Sequence, residues 1–496
     1  MFIDINKVSV LFKYDQYDPL LFASSFFLFL FLGLLLILSV IRDRKIQTFI
    51  LIAFSVFFYY KASGDLLGLL IAAGIANYFI GKGIYRTEGQ GGKRALLLLG
   101  VLVNLGVLVY FKYTNFLIEI YNSAMNGSIE AWDIIQPLGI SFYIFKALSY
   151  LFDIYLEMHE PEESFFDFFL YLSFFPAVLS GPIDRAGDFL TQIKNPLPFT
   201  NATIAKAVFL ISMGLLKKNL IADYISINFV ERVFDEPARF TGVENLLAVY
   251  GYTLQIYCDF SGYTDMAIGI GMLMGFKMMD NFNYPYKAVS VTDFWRRWHL
   301  SLSAWLQNYL FKPIQIGLRS FKIWGNAAAI LITFTLCGLW HGASYNFIIW
   351  GLLHAFFMVF SLFTKNIRES IASFLRIKDT RFHKFLKVFI TFHLIAFAWI
   401  FFRASSFEKA ETVLKQIATF FQPEVFPQFV DAFFPVFILM CIGYIIHFLP
   451  SRLENVLQTF LEKITLPGQA VVLAIAIWIS AQARFADLQP FIYFQF

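Results

Sequence analysis

Along this chain, apolar runs of membrane-crossing length alternate with short polar loops. The runs lie at residues 20–40, 48–60, 66–80, 95–111, 137–156, 204–216, 246–274, 388–402, 433–449 and 470–483. A further segment, 323–364, contains no Asp, Glu, Lys or Arg and is long enough for two spans of about 20 residues each. The pattern predicts an all-α polytopic membrane protein with roughly 11 to 13 membrane-embedded helices. No internal repeat and no separate soluble domain is discernible, so residues 20–496 read as a single membrane domain behind a short N-terminal segment, 1–19. The run at 20–40 is too long for the apolar part of a signal peptide and is followed by no small-residue cleavage site, so it reads as the first span.

The charged residues set an orientation. Arg42, Arg44 and Lys45 follow the first run, whereas Asp4, Asp15 and Asp18 stand beside Lys7 and Lys13 before it. Lys82, Arg86, Lys93 and Arg94 form a second basic loop, and Lys365, Arg368, Arg376, Lys378, Arg381, Lys384 and Lys387 a third. Basic loops stay in the cytoplasm, which places both termini outside it.

Composition changes this picture little. The chain is 58% hydrophobic and 15% charged, with 63 Phe, beyond what a soluble core of 496 residues hides. A net charge of +4, scattered between apolar runs, excludes a nucleic-acid surface. Cys258, Cys337 and Cys441 lie far apart and read as packing residues, and neither they nor the histidines have a metal-ligand spacing.

Two polar stretches stand out because charge at membrane depth is costly, roughly 2.5 to 3.5 kcal/mol at the bilayer centre. The first runs Ser290-Val-Thr-Asp-Phe-Trp-Arg-Arg-Trp-His-Leu-Ser-Leu-Ser303. Ser290 with Asp293 is a capping signature, and Trp295, Trp298, Leu302 and Trp305 then recur at helical spacing, predicting one aromatic-faced amphipathic helix. Its Arg296 and Arg297 point to the headgroup region or an aqueous entrance, and an interfacial anchoring helix is the competing reading. The second is Leu339-Trp-His-Gly-Ala-Ser-Tyr-Asn346, whose Gly342, Ser344 and Asn346 put His341 where one helix ends and the next begins. If His299 and His341 share a site, an imidazole kept neutral by apolar surroundings can take the proton of an attacking hydroxyl, worth roughly 10² to 10⁴ in rate. His341 suits that base and His299 a positioning or proton-sharing role, while His354 reads as core. On the run at 246–274, Gln255, Asp259, Ser261 and Asp265 are unusual; Ser261 lacks the G-x-S-x-G context of a serine hydrolase. Lys146 and Asp153, two turns apart, predict an internal ion pair, and Pro182 in Ser180-Gly-Pro-Ile-Asp-Arg185 predicts a break.

Together Asp293-Phe-Trp-Arg-Arg-Trp-His-Leu-Ser301, Leu339 to Asn346, Tyr257-Cys-Asp-Phe-Ser-Gly-Tyr-Thr-Asp265 and Ser180 to Arg185 resemble the membrane-bound O-acyltransferase family. The nearest branch is that of alginate and peptidoglycan O-acetyltransferases, with the D-alanyl transferase of teichoic acids as a relative. Cys258 and Lys146 depart from the family pattern, where an aromatic residue and Gln are more common, without removing a catalytic group. The resemblance implies a ring of helices around a thinned centre with a funnel from each side. It assigns catalysis to His341 and His299, in core motifs within 250–350, and surrounds them with Trp295, Arg296, Arg297, Trp298, Trp340, Asn346, Gln255, Asp259 and Ser261 as substrate-binding candidates. It implies no tightly bound cofactor and no metal, but an acyl thioester donor, coenzyme A or a carrier protein, on the cytoplasmic side of a bacterial inner membrane. The acceptor would be a polysaccharide, reached through an extracytoplasmic SGNH-type acetyltransferase. The end of the chain, Phe491-Ile-Tyr-Phe-Gln-Phe496 in the tail 485–496, resembles a tail acylated on tyrosine in relatives, which marks Tyr493 as an acyl relay; an aromatic interfacial anchor is the plainer reading. A transporter or a non-catalytic export subunit would be the competing function classes.

Overall fold

Polar residues at the ends of the apolar runs cut the chain into helices. Ser24 caps α1 (Ser25–Val40) by accepting the Phe27 N–H, and Asp43 caps α2 (Arg44–Ser63) by accepting that of Ile46. Gly64, at φ +56°, then breaks the backbone before α3 (Leu67–Arg86). The computed structural model describes residues 11–15 and 19–483; the notable tail around Tyr493 lies outside the described residues. Among the described residues the chain is helical, with one isolated antiparallel bridge, Phe282 to Trp298.

Among those residues, five helical segments are long and apolar enough to cross a bilayer: Arg44–Arg86, Gln90–Met125, Arg319–His341, Tyr345–Phe363 and Arg381–Arg403. Val425–Ala432 and Phe434–Phe448, bent by 95°, make a sixth if taken as one broken span, and Ser25–Val40 and Leu466–Gln482 are shorter apolar helices. The chain is a multi-pass membrane protein.

Its contacts fall into two units. The first comprises Met1–Ser212, Tyr263–Met279 and Leu461–Leu473. Here α3, α4 (Gln90–Leu108) and α5 (Ile140–Tyr155) pack on one another, while α2 packs on α6 (Phe165–Ser173). Asn77 and Asn104, each alone in an apolar helix, satisfy each other: Asn77 Nδ2 donates to Asn104 Oδ1 at 3.1 Å and Asn104 Nδ2 returns a bond at 2.7 Å. The break predicted at Pro182 is present, and it brings Asp184 beside α5 and α6. Lys146 therefore does not form the expected pair with Asp153. Its Nζ donates to the Tyr171 carbonyl, and Asp184 is the carboxylate whose charge bears on it. The Asp184 carboxylate accepts the Met279 N–H at 2.8 Å, and its carbonyl accepts the Tyr171 hydroxyl at 3.1 Å. Residues far apart in sequence thus decide a partner that helical periodicity alone assigns wrongly.

The second unit comprises Met213–Gly262, Asp280–Phe460 and Ala474–Phe496. It begins in the last turn of α7 (Asn201–Leu215), which two π-helical stretches follow, Leu216–Asp223 and Ser226–Val230. The long helix α8 (Gly242–Leu273) contributes its residues up to Gly262 to this unit. All the motif residues with candidate chemistry between Gln255 and Ser261, and between Asn281 and Asn346, belong to it.

Candidate active site

The segment after Ser290 starts as its capping signature predicts, with Ser290 Oγ accepting the Asp293 N–H at 3.1 Å. It does not continue as one helix. The short α9 (Val291–Trp295) stops, and α10 (Leu300–Leu306) begins only after His299, whose backbone is left-handed at φ +45°, ψ 57°. The expected amphipathic helix is therefore corrected to two short helices with a corner between them. The cause lies upstream in Asn281-Phe-Asn283, which runs alongside the corner. Asn281 O accepts the Leu300 N–H at 3.0 Å, and the Asn283 N–H donates to Arg297 O at 2.9 Å. The Asn281 carboxamide oxygen accepts both the N–H and the hydroxyl of Ser301. These bonds hold His299 in a region of φ and ψ that only a minority of residues adopt, at a cost of order 1 to 2 kcal/mol. The His299 side chain is fully buried, its ring 4.7 Å from that of Phe260 on α8 and nearly perpendicular to it.

His341 is the last residue of α11 (Lys322–His341), and α12 (Tyr345–Phe363) begins four residues on, as the turn and cap residues between them predict. The two helices approach closely at a pair of glycines. A Cβ on Gly338 would lie 2.2 Å from the Phe347 carbonyl oxygen, and one on Gly351 2.2 Å from that of Phe334. This contact, one turn from the end of α11, fixes where His341 emerges. Its ring packs against Trp340 at 4.9 Å, Trp350 at 4.9 Å and Phe402 of α13 (Arg381–Arg403) at 5.3 Å.

The two motif histidines meet through one side chain. The Trp340 indole contacts the His299 ring at 6.1 Å between centroids and the His341 ring at 4.9 Å. Both imidazoles are thus enclosed by aromatic rings, where electrostatic interactions with a substrate act in a low dielectric. The other candidates divide into four groups. Trp295 and Trp298 are buried in the same aromatic cluster, Trp295 donating from Nε1 to His354 Nδ1 at 3.2 Å, so His354 serves packing as predicted. Asp259 and Gln255 belong to a buried polar network. Lys218 Nζ lies 2.6 Å from Asp259 and 2.7 Å from Asp223, while Gln255 Nε2 donates to Ser226 Oγ at 2.8 Å. Ser261 is buried on the same helix, and Asn346 donates to the Ala404 carbonyl at 2.8 Å. Arg296 and Arg297 line a cavity of about 700 Å³ with Lys287, Asp293 and Lys384.

Sequence reasoning missed Asn281 and Lys218. Asn281 carried a usable signal, a polar residue just before the aromatic motif. Lys218 sits beside Lys217 and reads as an ordinary loop cation until Asp259 is placed against it. Among the described residues, no group of three or more His, Cys, Asp or Glu side chains gathers as metal ligands.

Residues 161–407, which contain both histidines, match the model of MBOAT, the membrane-bound O-acyltransferase family. The chain is 34% identical to the peptidoglycan O-acetyltransferase of Helicobacter pylori, over 80% of its own length and 79% of that protein. The chain belongs to the membrane-bound O-acyltransferase family. It is accordingly an acyltransferase. This O-acyltransferase is also 35% identical to the probable alginate O-acetylase AlgI of Pseudomonas aeruginosa, over 81% of its own length and 75% of that protein. It is 30% identical to the teichoic acid D-alanyltransferase of Bacillus subtilis, over 55% and 70% respectively.

Proposed function

We propose that the chain moves an acetyl group from a cytoplasmic acyl thioester toward a cell-envelope or exported polysaccharide, as a protein of the bacterial inner membrane with both termini outside the cytoplasm. The observation that carries this reading is the placement of His341 at a helix end enclosed by Trp340, Trp350 and Phe402, with His299 across the same indole. The acetyl group and the polysaccharide acceptor come from the names of the relatives; the thioester comes from the chemistry of acyl transfer in this family.

In this scheme His341 accepts the proton of an attacking hydroxyl as its oxygen forms a bond to the thioester carbonyl carbon. The C–S bond then breaks, and the imidazolium returns the proton to the leaving thiolate, so the products are an ester and a thiol with no net proton change. His299 positions the reacting groups. The first acceptor is Tyr493, whose phenol, with an ordinary pKa of about 10, forms an ester more reactive than an alkyl ester. That ester passes its acyl group to an extracytoplasmic partner enzyme, which acts on the polysaccharide.

Intact-mass spectrometry of the purified protein after incubation with labelled acetyl thioester tests this. The expected result is one acetyl on the C-terminal peptide of the wild type and none on His341→Ala or Tyr493→Phe. Label that requires His341 but persists in Tyr493→Phe moves the relay elsewhere. Absence of any label or product in the wild type, with competent donor and acceptor supplied, overturns the reading.

A further inference from the structure

We infer that His447 is a positioning residue for His299, acting through the loop 281–287 that runs alongside the histidine corner. At one end of this loop Asn281 and Asn283 bond to Arg297, Leu300 and Ser301, the backbone that turns at His299, and Phe282 bridges to Trp298. At the other end three hydrogen bonds tie the loop to a single place, where α14 (Phe434–Phe448) gives way to α15 (Ser451–Lys463). The Tyr286 N–H donates to His447 Nε2 at 3.2 Å, Lys287 Nζ donates to the Leu449 carbonyl at 2.6 Å, and the Tyr284 hydroxyl donates to the Glu454 carboxylate. Tyr284 is itself left-handed, at φ 45°, ψ 63°, close to the values of His299. A residue other than glycine keeps that conformation only where its surroundings over-determine it. The loop thus carries two such residues' constraints from one helix end to the other.

Of the three ties, the one to His447 is the most telling. This histidine is buried in the last turn of an apolar helix, where an unbonded polar group is destabilising. Its Nε2 accepts from Tyr286, so Nδ1 carries the proton, and among the described residues Nδ1 has no acceptor. Contacts with the rings of Tyr257 at 4.8 Å and Tyr286 at 5.2 Å account for the bulk of the imidazole, which an apolar side chain would supply as well. Only the bond from the Tyr286 N–H accounts for its nitrogen.

The supports on either side of the loop are fixed. On α14, a Cβ at Gly443 would come within 2.6 Å of the Leu254 side chain of α8, and the Tyr444 hydroxyl donates to the Tyr250 carbonyl at 2.7 Å. The Tyr286 hydroxyl donates to the Thr253 carbonyl of the same helix at 2.5 Å, and α8 also sets Phe260 against His299. Without Nε2, the buried Tyr286 N–H loses its acceptor, and that loss is relieved by movement of the loop. Asn281 and Asn283 move with it, and the corner at His299 follows. The consequence for acyl transfer rests on the function proposed above; the chain of hydrogen bonds does not.

The test compares full-length wild type, His447→Leu and His447→Gln in detergent. Glutamine places an amide oxygen near the position of Nε2, whereas leucine keeps bulk without an acceptor. Hydrogen exchange read by mass spectrometry over residues 281–301 reports the loop, initial rates with acetyl-coenzyme A report the chemistry, and thermal unfolding checks folding. In the leucine protein, exchange over 281–301 should quicken and kcat should fall at least about tenfold, with KM for acetyl-coenzyme A within about twofold of wild type. The glutamine protein should keep wild-type exchange and recover kcat to within about threefold. If the leucine protein does not fold, His447→Asn, whose oxygen stops short of Nε2, takes its place. Exchange that quickens with leucine and is restored by glutamine, in a protein without turnover even as wild type, supports the coupling and sinks only the function proposed above. Unchanged exchange without the acceptor overturns the inference, as does equal loss in the leucine and glutamine proteins, or quickened exchange with kcat intact.

Discussion

The carboxamide oxygen of Asn281 accepts two hydrogen bonds from Ser301, one from its N–H at 3.1 Å and one from its hydroxyl at 2.7 Å. Both residues are buried, and between them in the ladder stands His299 in its left-handed conformation. The pair therefore sets the direction of a candidate catalytic side chain.

Replacing Asn281 by Ala leaves two buried donors of Ser301 to find other partners, a loss of about 1 to 3 kcal/mol. We expect a lower unfolding temperature in detergent and a fall in acyl transfer exceeding the loss of folded protein. Wild-type activity per folded molecule would remove Asn281 from the site's support.

His299→Asn separates ring chemistry from backbone, because Asn tolerates the left-handed region whereas a β-branched residue does not. The Asn protein should keep its unfolding temperature and lose most acyl transfer. His299→Val should lose stability as well, by roughly 1 to 2 kcal/mol. Thermal unfolding alongside a transfer assay distinguishes the two, and full activity in His299→Asn would reduce the imidazole to packing.

At the crossing of α11 and α12, Gly338→Ala drives a methyl into the Phe347 carbonyl oxygen. Backbone cannot yield as a flexible side chain can, so the helices must separate beside His341. Overpacking of this kind costs typically 1 to 3 kcal/mol. Reduced yield of folded protein and reduced transfer are expected together, while alanine at Gly33, whose Cβ position is open, should be silent.

Lys218 is enclosed between Asp223 and Asp259. Lys218→Met leaves the buried Asp259 and the half-buried Asp223 without their cation, and breaking such a cluster destabilises by about 3 to 5 kcal/mol. The triple variant Lys218→Met/Asp223→Asn/Asp259→Asn should recover much of that loss in thermal unfolding. No recovery would mean that Lys218 contributes through packing rather than charge.

The apolar runs and their breaks were legible because hydrophobicity and capping act over one or two turns. The uncharged segment became α11 and α12, with His341 at the helix end that Gly342 and Ser344 mark. The Gly64 break was equally local. By contrast, the aromatic repeat after Trp295 promised a helix that the structure divides, because Asn281 and Asn283 compete for the backbone groups of Arg297, Leu300 and Ser301. Periodicity describes a helix's preference and carries no information about a distant strand-like neighbour.

By itself, the sequence determined that the chain is a helical, multi-pass membrane protein, where several of its helices end and which histidines deserved scrutiny, since each follows from residues adjacent in the chain. Tertiary structure alone decided that Trp340 joins His299 to His341, that Lys146 turns to Tyr171 and Asp184 rather than Asp153, and that Lys287 and Lys384 share a cavity with Arg296 and Arg297. Those relationships depend on packing between segments far apart in sequence, where the geometry of whole helices, not local preference, selects each side chain's partner.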